Sequence, residues 1–172
     1  GGGGREHAIV TSLAASAYAP EIFCAPGNGG TAALATNVSI DTEDPAYVVQ
    51  WVERNGADLV VIGPEAPLVV GTADLLAVAG VPVFGPRAAG AEIEGSKVFA
   101  KDLMERHGIP TGRFQVAESE AEARVYLEEM GAPVVVKADG LAAGKGVTVA
   151  ATIEEAIAAA NQCFEGAFGP AG

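Results

Sequence analysis

The sequence is poor in positive charge. It has ten lysine and arginine residues against twenty-two aspartate and glutamate residues, so its formal net charge is 10 − 22 = −12. A chain with this charge repels polyanions, which argues against binding nucleic acid or an anionic membrane through the overall electrostatic field. Any anionic ligand must therefore be held locally, by backbone amides and a few basic side chains.

Cysteine is also scarce, and long apolar runs are absent. Cys24 and Cys163 are far apart, neither belongs to a C-x-x-C pattern, and His7 and His107 stand at no metal-ligand spacing from them. No stretch approaches about eighteen uninterrupted apolar residues, and the N-terminus has neither an initiator Met nor the basic-then-apolar plan of a signal peptide. We expect a soluble, cytoplasmic protein with reduced thiols, and a fragment of a longer chain.

The chain does have enough apolar residues for buried cores, because 49% of its 172 residues are hydrophobic. Over residues 1–90 predicted helices alternate with short apolar strands: helices at 5–18, 44–56 and 71–80, strands at 21–25, 58–63 and 81–85. Apolar strands separated by helices predict an α/β domain with a doubly wound parallel sheet. In such a sheet the ligand edge would be formed by the loops at 26–30, 63–67 and 85–87.

A second unit is expected after a boundary near residue 90. The sequence predicts a linker followed by a helix from about 96 to 107, and then a strand, helix, strand, glycine-rich loop, strand and helix at 113–117, 119–130, 133–138, 139–146, 147–151 and 152–164. The sheet of this unit is predicted to be incomplete.

The most informative local feature is a lysine at the end of an apolar strand. VVVK ends at Lys137 and leads into the loop DGLAAGKG, where glycines would let backbone amides approach phosphate oxygens. The order of residues is not that of a Walker A loop, because Lys145 precedes Gly146 rather than Ser or Thr. Two interpretations stay open: a nucleotide triphosphate site, or a tight β-hairpin with solvated lysines.

Three further motifs in the first region each allow two interpretations. Glu65 of GPEAPL could hold substrate hydroxyls or an amine, or could cap a helix after Pro67. APGNGG could bind a ligand or form an ordinary turn. GGGGREHA could present helix N-terminal amides to a phosphate, with Arg5 adding charge, or could be a linker with Arg5 exposed. His7 is interpreted as a packed or exposed helix residue and not as a catalyst.

Seven short blocks are more specific together than singly: GGREHA, APGN, GPEAPL, FGP, EGSK, HGIPT and VVVKADGLAAGKGV, in that order. Over essentially the whole chain they resemble the glycinamide ribonucleotide synthetases, or phosphoribosylamine–glycine ligases, a family of ATP-grasp enzymes of purine biosynthesis. The resemblance implies an N-terminal α/β substrate-binding domain at 1–90, without its first strand, and a linker helix with a partial ATP-grasp domain at 91–172.

The resemblance also implies a reaction and its ligands. Glycine and 5-phosphoribosylamine would be joined with hydrolysis of ATP to ADP and phosphate, through a glycyl phosphate. This chemistry depends on positioning and charge neutralisation, so no catalytic nucleophile is expected in this chain. The cofactors would be ATP and Mg²⁺, with the metal ligands beyond residue 172, the enzyme would be a monomer, and the fragment alone would be inactive.

Residue by residue, the resemblance implies two groups of binding residues. The ATP phosphates would be bound by Lys97 and Lys137 and by the loop residues Gly140, Leu141, Ala142, Ala143, Gly144, Lys145 and Gly146. The phosphoribosylamine side would be formed by Gly3, Gly4, Arg5, Glu6, Gly27, Asn28 and Glu65. On this interpretation the four opening glycines are part of a phosphate-binding turn whose preceding strand is missing.

Two other functions remain open at this point. One is another ATP-grasp ligase or carboxylase of purine or biotin metabolism, which would not be expected to carry GGREHA, APGN and GPEAPL together. The other is a nucleotide-binding module without catalytic turnover, which would hold ATP but would need neither glycine nor phosphoribosylamine.

Overall fold

The structure is a computed structural model that describes residues 1–142, 144–169 and 171. The chain divides into two compact units, Gly1–Ala91 and Glu92–Gly172. The α/β class predicted from the sequence is confirmed, because helices and short strands alternate along the chain. Among the described residues, no helix is both long enough and apolar enough to cross a membrane.

The first unit contains two parallel strand pairs with helices between them. Its elements in chain order are α1 (Gly4–Ala14), β1 (Phe23–Cys24), a single 3₁₀ turn (Thr31–Ala33), β2 (Thr36–Asn37), α2 (Pro45–Asn55), β3 (Val60–Val61), α3 (Glu65–Val69), α4 (Thr72–Val78), β4 (Val83–Phe84) and the start of α5 (Ala88–Gly95). Strand β1 pairs with β2 and β3 pairs with β4, both in parallel. The parallel direction agrees with the prediction for this region.

Helix α2 has the ends that its sequence specifies. The Asp44 carboxylate accepts hydrogen bonds from the amides of Ala46 and Tyr47, and Pro45 takes the first helical position, where no amide donor is needed. The helix stops at Gly56, whose φ of 72° is readily adopted only by glycine. One face of the helix is buried, which directs it against the strands.

The first unit has two small cores. Val48 and Val52 of α2 pack with the fully buried Leu76 of α4, against a surrounding layer that includes Ile62 and Val83. A second cluster joins Leu68, Ala73 and Ala91. Helices and strands of the region 44–91 are therefore held together by apolar burial, the main favourable term in folding.

The second unit packs helices against one antiparallel hairpin. Its elements are the end of α5, then α6 (Lys97–Arg106), α7 (Glu120–Met130), β5 (Val134–Lys137), β6 (Val147–Ala150) and α8 (Ile153–Phe164). Strands β5 and β6 pair over four positions, from Val134 opposite Ala150 to Lys137 opposite Val147. The core is formed by small and medium side chains of α7, β6 and α8: Ala123, Leu127, Ala150, Ala156 and Ala160.

The structure differs from the predicted elements in several places. The predicted linker after residue 88 is largely the helix α5, and residues within the predicted loop 63–67 begin α3. Residues 113–117 form no strand, although a strand is predicted there. Strand β2 was not predicted, because Thr36 and Asn37 are polar and exposed. The predicted helix 5–18 ends earlier, at Ala14, and the other strands are shorter than their apolar runs.

Candidate functional site

The first candidate site lies at the start of α1. Gly3 precedes the helix with an extended backbone, and its amide donates to the Glu6 carboxylate at 2.7 Å. The amides of Gly4, Arg5 and Glu6 occupy the first turn, where an α-helix provides no internal acceptor. A Cβ built on Gly4 would meet no atom within 4 Å, so space is open at the first helical residue. This end of the helix can therefore receive an anion.

Asn28 ties this turn to the segment after β1. Its carboxamide nitrogen donates to the carbonyl oxygens of Gly2 and Gly3, at 3.0 and 3.4 Å. Its side-chain oxygen accepts from the amides of Gly30 and Thr31, at 2.7 and 3.0 Å, in a local turn. The preceding Gly27 has a φ of 74°, which a side chain would strain. Asn28 is thus satisfied on both sides and orients two segments at once.

Arg5 and Glu65 connect the same turn to the loop after β3. The Arg5 guanidinium donates to the Gly63 carbonyl oxygen at 2.6 Å and lies 3.6 Å from the Glu65 carboxylate. Their side chains are 64% and 45% exposed, so the ion pair contributes little to stability. Glu65 is the first residue of α3, so it does not cap a helix that begins after Pro67. Both charged groups remain accessible to a ligand.

Two glycines permit the close packing of this site. A Cβ at Gly63 would overlap the Glu6 carboxylate, and a Cβ at Gly30 would lie 2.5 Å from the His7 ring. His7 is half-buried against that glycine, which favours the packed alternative over the exposed one for this helix residue. Seven residues predicted for the substrate side therefore meet in one cluster: Gly3, Gly4, Arg5, Glu6, Gly27, Asn28 and Glu65.

The second candidate site lies at the β5–β6 hairpin. Lys137 ends β5 opposite Val147, and its side chain is exposed. A hairpin is what the second interpretation of this segment describes. An exposed lysine at the end of a strand is compatible both with that interpretation and with a nucleotide triphosphate site. No hydrogen bond or ion pair of the Lys137 ammonium is found among the described residues, so that charge is available to a ligand.

The loop between these strands has a close-packed base. The Ala138 amide donates to the Gly146 carbonyl oxygen at 2.8 Å, and the Lys145 amide donates to the Ala142 carbonyl oxygen at 2.9 Å. Gly140 and Gly144 have φ values of 83° and 77°, a region that favours glycine. Ala143, predicted as part of the site, lies outside the described residues. An open cavity of about 280 Å³ adjoins the loop, lined by Leu141, Ala142, Lys145, Ala167 and Phe168.

Lys97 is held beside the start of this loop. Its ammonium donates to the Gly140 carbonyl oxygen at 2.7 Å, which brings together two residues that the sequence places 43 positions apart. Lys97 is also the first residue of α6, and Ser96 caps that helix by accepting from the Phe99 amide. The predicted residues Lys97 and Gly140 therefore belong to one local structure.

Sequence reasoning missed the residue that organises this contact, Asp139. Its carboxylate accepts from the Ser96 hydroxyl at 3.0 Å and from the amides of Lys97 and Val98 at 2.5 and 3.1 Å. Partial burial would raise the pKa of Asp139, but the hydrogen bonds from Val98, Ser96 and Lys97 outweigh it and hold the pKa below its ordinary value. An acidic residue two positions after a strand-end lysine was the available signal.

The described residues contain no group of three or more His, Cys, Asp or Glu side chains arranged to hold a metal ion. The Asp139 carboxylate, in the second unit, is already occupied by hydrogen-bond donors.

Comparison with known proteins follows the division of the chain into two units. The family model described as "Phosphoribosylglycinamide synthetase, N domain" matches residues 1–94, and "Phosphoribosylglycinamide synthetase, ATP-grasp (A) domain" matches residues 95–172. Two curated relatives are phosphoribosylamine–glycine ligases, from Agrobacterium fabrum (54% identical) and Rhizobium meliloti (52% identical), each over 100% of this chain. The chain spans 41% of the length of both relatives.

Solved structures resemble the chain as well. The crystal structure of phosphoribosylamine–glycine ligase from Thermotoga maritima is 35% identical, with a TM-score of 0.74 over 96% of this chain and 38% of that one. N5-carboxyaminoimidazole ribonucleotide synthetase from Thermus thermophilus has a TM-score of 0.71 at 21% identity, over 99% of this chain and 44% of that one. The latter shows only a shared fold. Because one family model matches residues 1–94 and a second matches the remainder, the protein belongs to the phosphoribosylglycinamide synthetase family.

Proposed function

We propose that this chain forms the phosphoribosylamine-binding unit and the first part of the ATP-binding unit of a phosphoribosylamine–glycine ligase. The observation that carries the proposal is 54% identity, over all 172 residues, to a curated ligase of that name. The units would correspond to residues 1–90 and 91–172. N5-carboxyaminoimidazole ribonucleotide synthetase, at 21% identity, is too distant in sequence to support the same reaction for this chain.

The reaction would proceed in two steps. A carboxylate oxygen of glycine attacks the γ-phosphorus of ATP, which forms glycyl phosphate and releases ADP. The amine of 5-phosphoribosylamine then attacks the carbonyl carbon, the C–O bond to phosphate breaks, and the amine loses a proton as glycinamide ribonucleotide forms. Both steps need positioned reactants and neutralised charge, so side chains that bind and orient are sufficient here.

The chain's own contribution would be binding at two sites. The amides at the start of α1 would hold the 5-phosphate, while Arg5, Asn28 and Glu65 would orient the ribosylamine. Charge from Lys97 and Lys137 would neutralise the ATP phosphates, and the loop from Gly140 to Gly146 would cover them. Mg²⁺ would supply further neutralisation of phosphate charge when bound, through ligands outside these 172 residues. We also propose a monomeric enzyme of the cytoplasm.

The test is a chimera, in which this chain replaces the matching segment of the Agrobacterium fabrum ligase. ADP formation by the chimera should depend on ATP, on glycine, and on phosphoribosylamine generated in place from ribose 5-phosphate and ammonia. The unmodified Agrobacterium enzyme is the positive control. Turnover that does not require glycine, or does not require phosphoribosylamine, would refute the proposed reaction, as would an inactive chimera that folds.

A further inference from the structure

One carboxylate in the second unit joins two segments that are far apart in sequence. Asp139 lies at the start of the glycine-rich loop. Its carboxylate oxygens accept hydrogen bonds from the Ser96 hydroxyl and from the amides of Lys97 and Val98. The sequence separations are 43, 42 and 41 residues. The base of the loop is therefore attached to the beginning of α6.

The Asp139 carboxylate is an acceptor for the first amides of α6, which in most helices donate to a local capping residue or to water. The first amides of an α-helix have no intrahelical partner, and a capping side chain satisfies only one or two of them. In α6 the Ser96 hydroxyl accepts from the Phe99 amide at 3.0 Å, while Asp139 accepts from Lys97 and Val98. A local cap and a distant carboxylate thus divide the first amides of α6 between them, and the Lys97 and Val98 amides lose their protein acceptor if the loop base moves away.

The backbone and the side-chain end of Lys97 are held by two consecutive residues, Asp139 and Gly140. Its backbone amide donates to Asp139, and its ammonium donates to the Gly140 carbonyl oxygen at 2.7 Å. An ammonium group carries three N–H donors, so two remain for another acceptor. The side chain is therefore oriented, while Gly140 is the one acceptor of its ammonium among the residues that the structure describes.

The negative charge of Asp139 does not oppose an anionic ligand as a free carboxylate would. Three donors surround it, and it faces the positive end of the α6 macrodipole. An acidic residue beside a phosphate-binding loop would otherwise weaken binding by charge repulsion. Here the carboxylate instead accepts hydrogen bonds from the backbone amides of Lys97 and Val98.

We propose that Asp139 is a positioning residue, which fixes the base of the glycine-rich loop to α6 and so orders Lys97 and the loop before a nucleoside triphosphate binds. The proposal rests on the proposed function, because the phosphates are the ligand toward which Lys97 is ordered. Ordering in advance raises the fraction of molecules that are competent to bind, and the apparent affinity rises by the same factor.

The first experiment tests the attachment itself, with no nucleotide present. Amide hydrogen exchange is measured by NMR on the 172-residue chain and on the variants Asp139→Ala, Asp139→Asn and Asp102→Asn. In Asp139→Ala the amides of Lys97 and Val98 should exchange at least about tenfold faster, because each loses a charge-assisted hydrogen bond. In Asp139→Asn the increase should be smaller, since one acceptor oxygen is retained.

Two comparisons separate this effect from a general loss of stability. Amides later in α6, such as that of Lys101, should keep their rates, because their acceptors lie within the helix. Asp102→Asn removes the same charge from an exposed position of the same helix and should leave the rates of Lys97 and Val98 unchanged. Unchanged exchange at both amides in Asp139→Ala would overturn the attachment. Where Asp139→Ala does not fold, Asp139→Asn decides in the same way.

The second experiment tests what the attachment does for nucleotide. In the chimera, Asp139→Ala should raise the KM for ATP about tenfold while kcat and the KM for glycine change much less. Asp139→Asn should recover part of the loss. Equal KM values for ATP in the chimera and its Asp139→Ala variant would overturn the positioning role.

A failure of the proposed reaction would be recognised separately. If the chimera folds but forms no glycine-dependent ADP, the reaction assignment fails, and the dissociation constant of a non-hydrolysable ATP analogue replaces KM as the readout for Asp139. Weaker binding by Asp139→Ala than by the unsubstituted chimera would support the positioning role, and equal binding would refute it.

Discussion

The carboxamide nitrogen of Asn28 lies 3.0 Å from the carbonyl oxygen of Gly2, across 26 residues of sequence. This contact links the turn after β1 to the turn before α1, and the oxygen of the same side chain accepts from the Gly30 and Thr31 amides. An isosteric change at Asn28 should therefore reveal how far the candidate phosphate site depends on the link.

We expect Asn28→Asp to weaken the site more than it weakens the fold. The variant keeps the acceptor for Gly30 and Thr31 but replaces the donor to Gly2 with a carboxylate oxygen, which repels both the carbonyl and an incoming phosphate. Ribose 5-phosphate, which carries the substrate's phosphate, should bind the variant chimera about tenfold more weakly in calorimetry. Asn55→Asp, which alters an exposed amide donor to Trp51, is the control and should retain affinity.

A second prediction concerns Lys137. Lys137→Ala should raise the KM for ATP of the chimera about tenfold or more and leave thermal unfolding nearly unchanged, because the exposed ammonium supplies charge to phosphate but little to folding. Arg124→Ala removes one positive charge from an exposed position of α7 and should change neither quantity. An unaltered KM for ATP in Lys137→Ala would refute the role given to this lysine.

A third prediction separates stability from binding at Gly4. An added methyl group meets no atom within 4 Å, and alanine has a higher helix propensity than glycine, so Gly4→Ala should preserve or slightly raise the free energy of unfolding. The same methyl group occupies the space that a phosphate needs, and Gly4→Val occupies more of it.

Binding of ribose 5-phosphate to the chimera should therefore fall in the order Gly4, Gly4→Ala, Gly4→Val, measured by calorimetry alongside denaturant unfolding. Gly90→Ala adds the same methyl group to another helical glycine, in α5, and should leave binding unaffected. Equal affinities across the series at Gly4 would show that the turn is only a structural corner.

The fourth prediction concerns acid stability of the second unit. Because the pKa of Asp139 is lower in the folded than in the unfolded chain, the ionised group stabilises the fold above its ordinary pKa of 3.8. This contribution is lost as the pH falls through the lower folded value. The groups that face the carboxylate are the Ser96 hydroxyl and the Lys97 and Val98 amides, with the Lys97 ammonium on the adjacent carbonyl.

Denaturant unfolding of the chain and of Asp139→Asn, measured from pH 7 to pH 2, should show the difference. The two free energies of unfolding should approach each other as the pH drops below about 4, since protonation then removes the charge from the unsubstituted chain as well. A difference that stays constant over the whole range would contradict the assignment of this pH dependence to Asp139.

The ends of a helix can be predicted from the sequence where a residue type strongly prefers one local conformation. Asp44 and Gly56 define the ends of α2 because a carboxylate cap and a left-handed glycine are local requirements, independent of packing. Strand lengths depend instead on a partner: the predicted strand 58–63 has ladder pairing only at Val60 and Val61. A run of apolar residues indicates burial, and it does not say where the pairing stops.

The incorrect predictions have tertiary causes. Gly90 and Gly95 suggested a linker, but Ala91 is buried against Leu68 and Ala73, and this packing stabilises α5 despite low intrinsic propensity. Residues 113–117 are predicted as a strand, yet Phe114 lies beneath the Lys101 ammonium, 5.5 Å from the ring centre. Asp139 was missed as an organiser because no spacing rule connects positions 43 residues apart.

At the base of the glycine-rich loop, two alanine side chains leave no room for a third side chain at Gly146. A Cβ at Gly146 would lie 2.9 Å from the Cβ atoms of both Ala138 and Ala142, and Ala138 is almost fully buried. A methyl group added at 146 can fit only if both alanine methyl groups are removed. In a library randomised at positions 138, 142 and 146, the functional clones should covary: a larger residue at 146 should survive only beside glycine at both 138 and 142, whatever the rest of the loop contains.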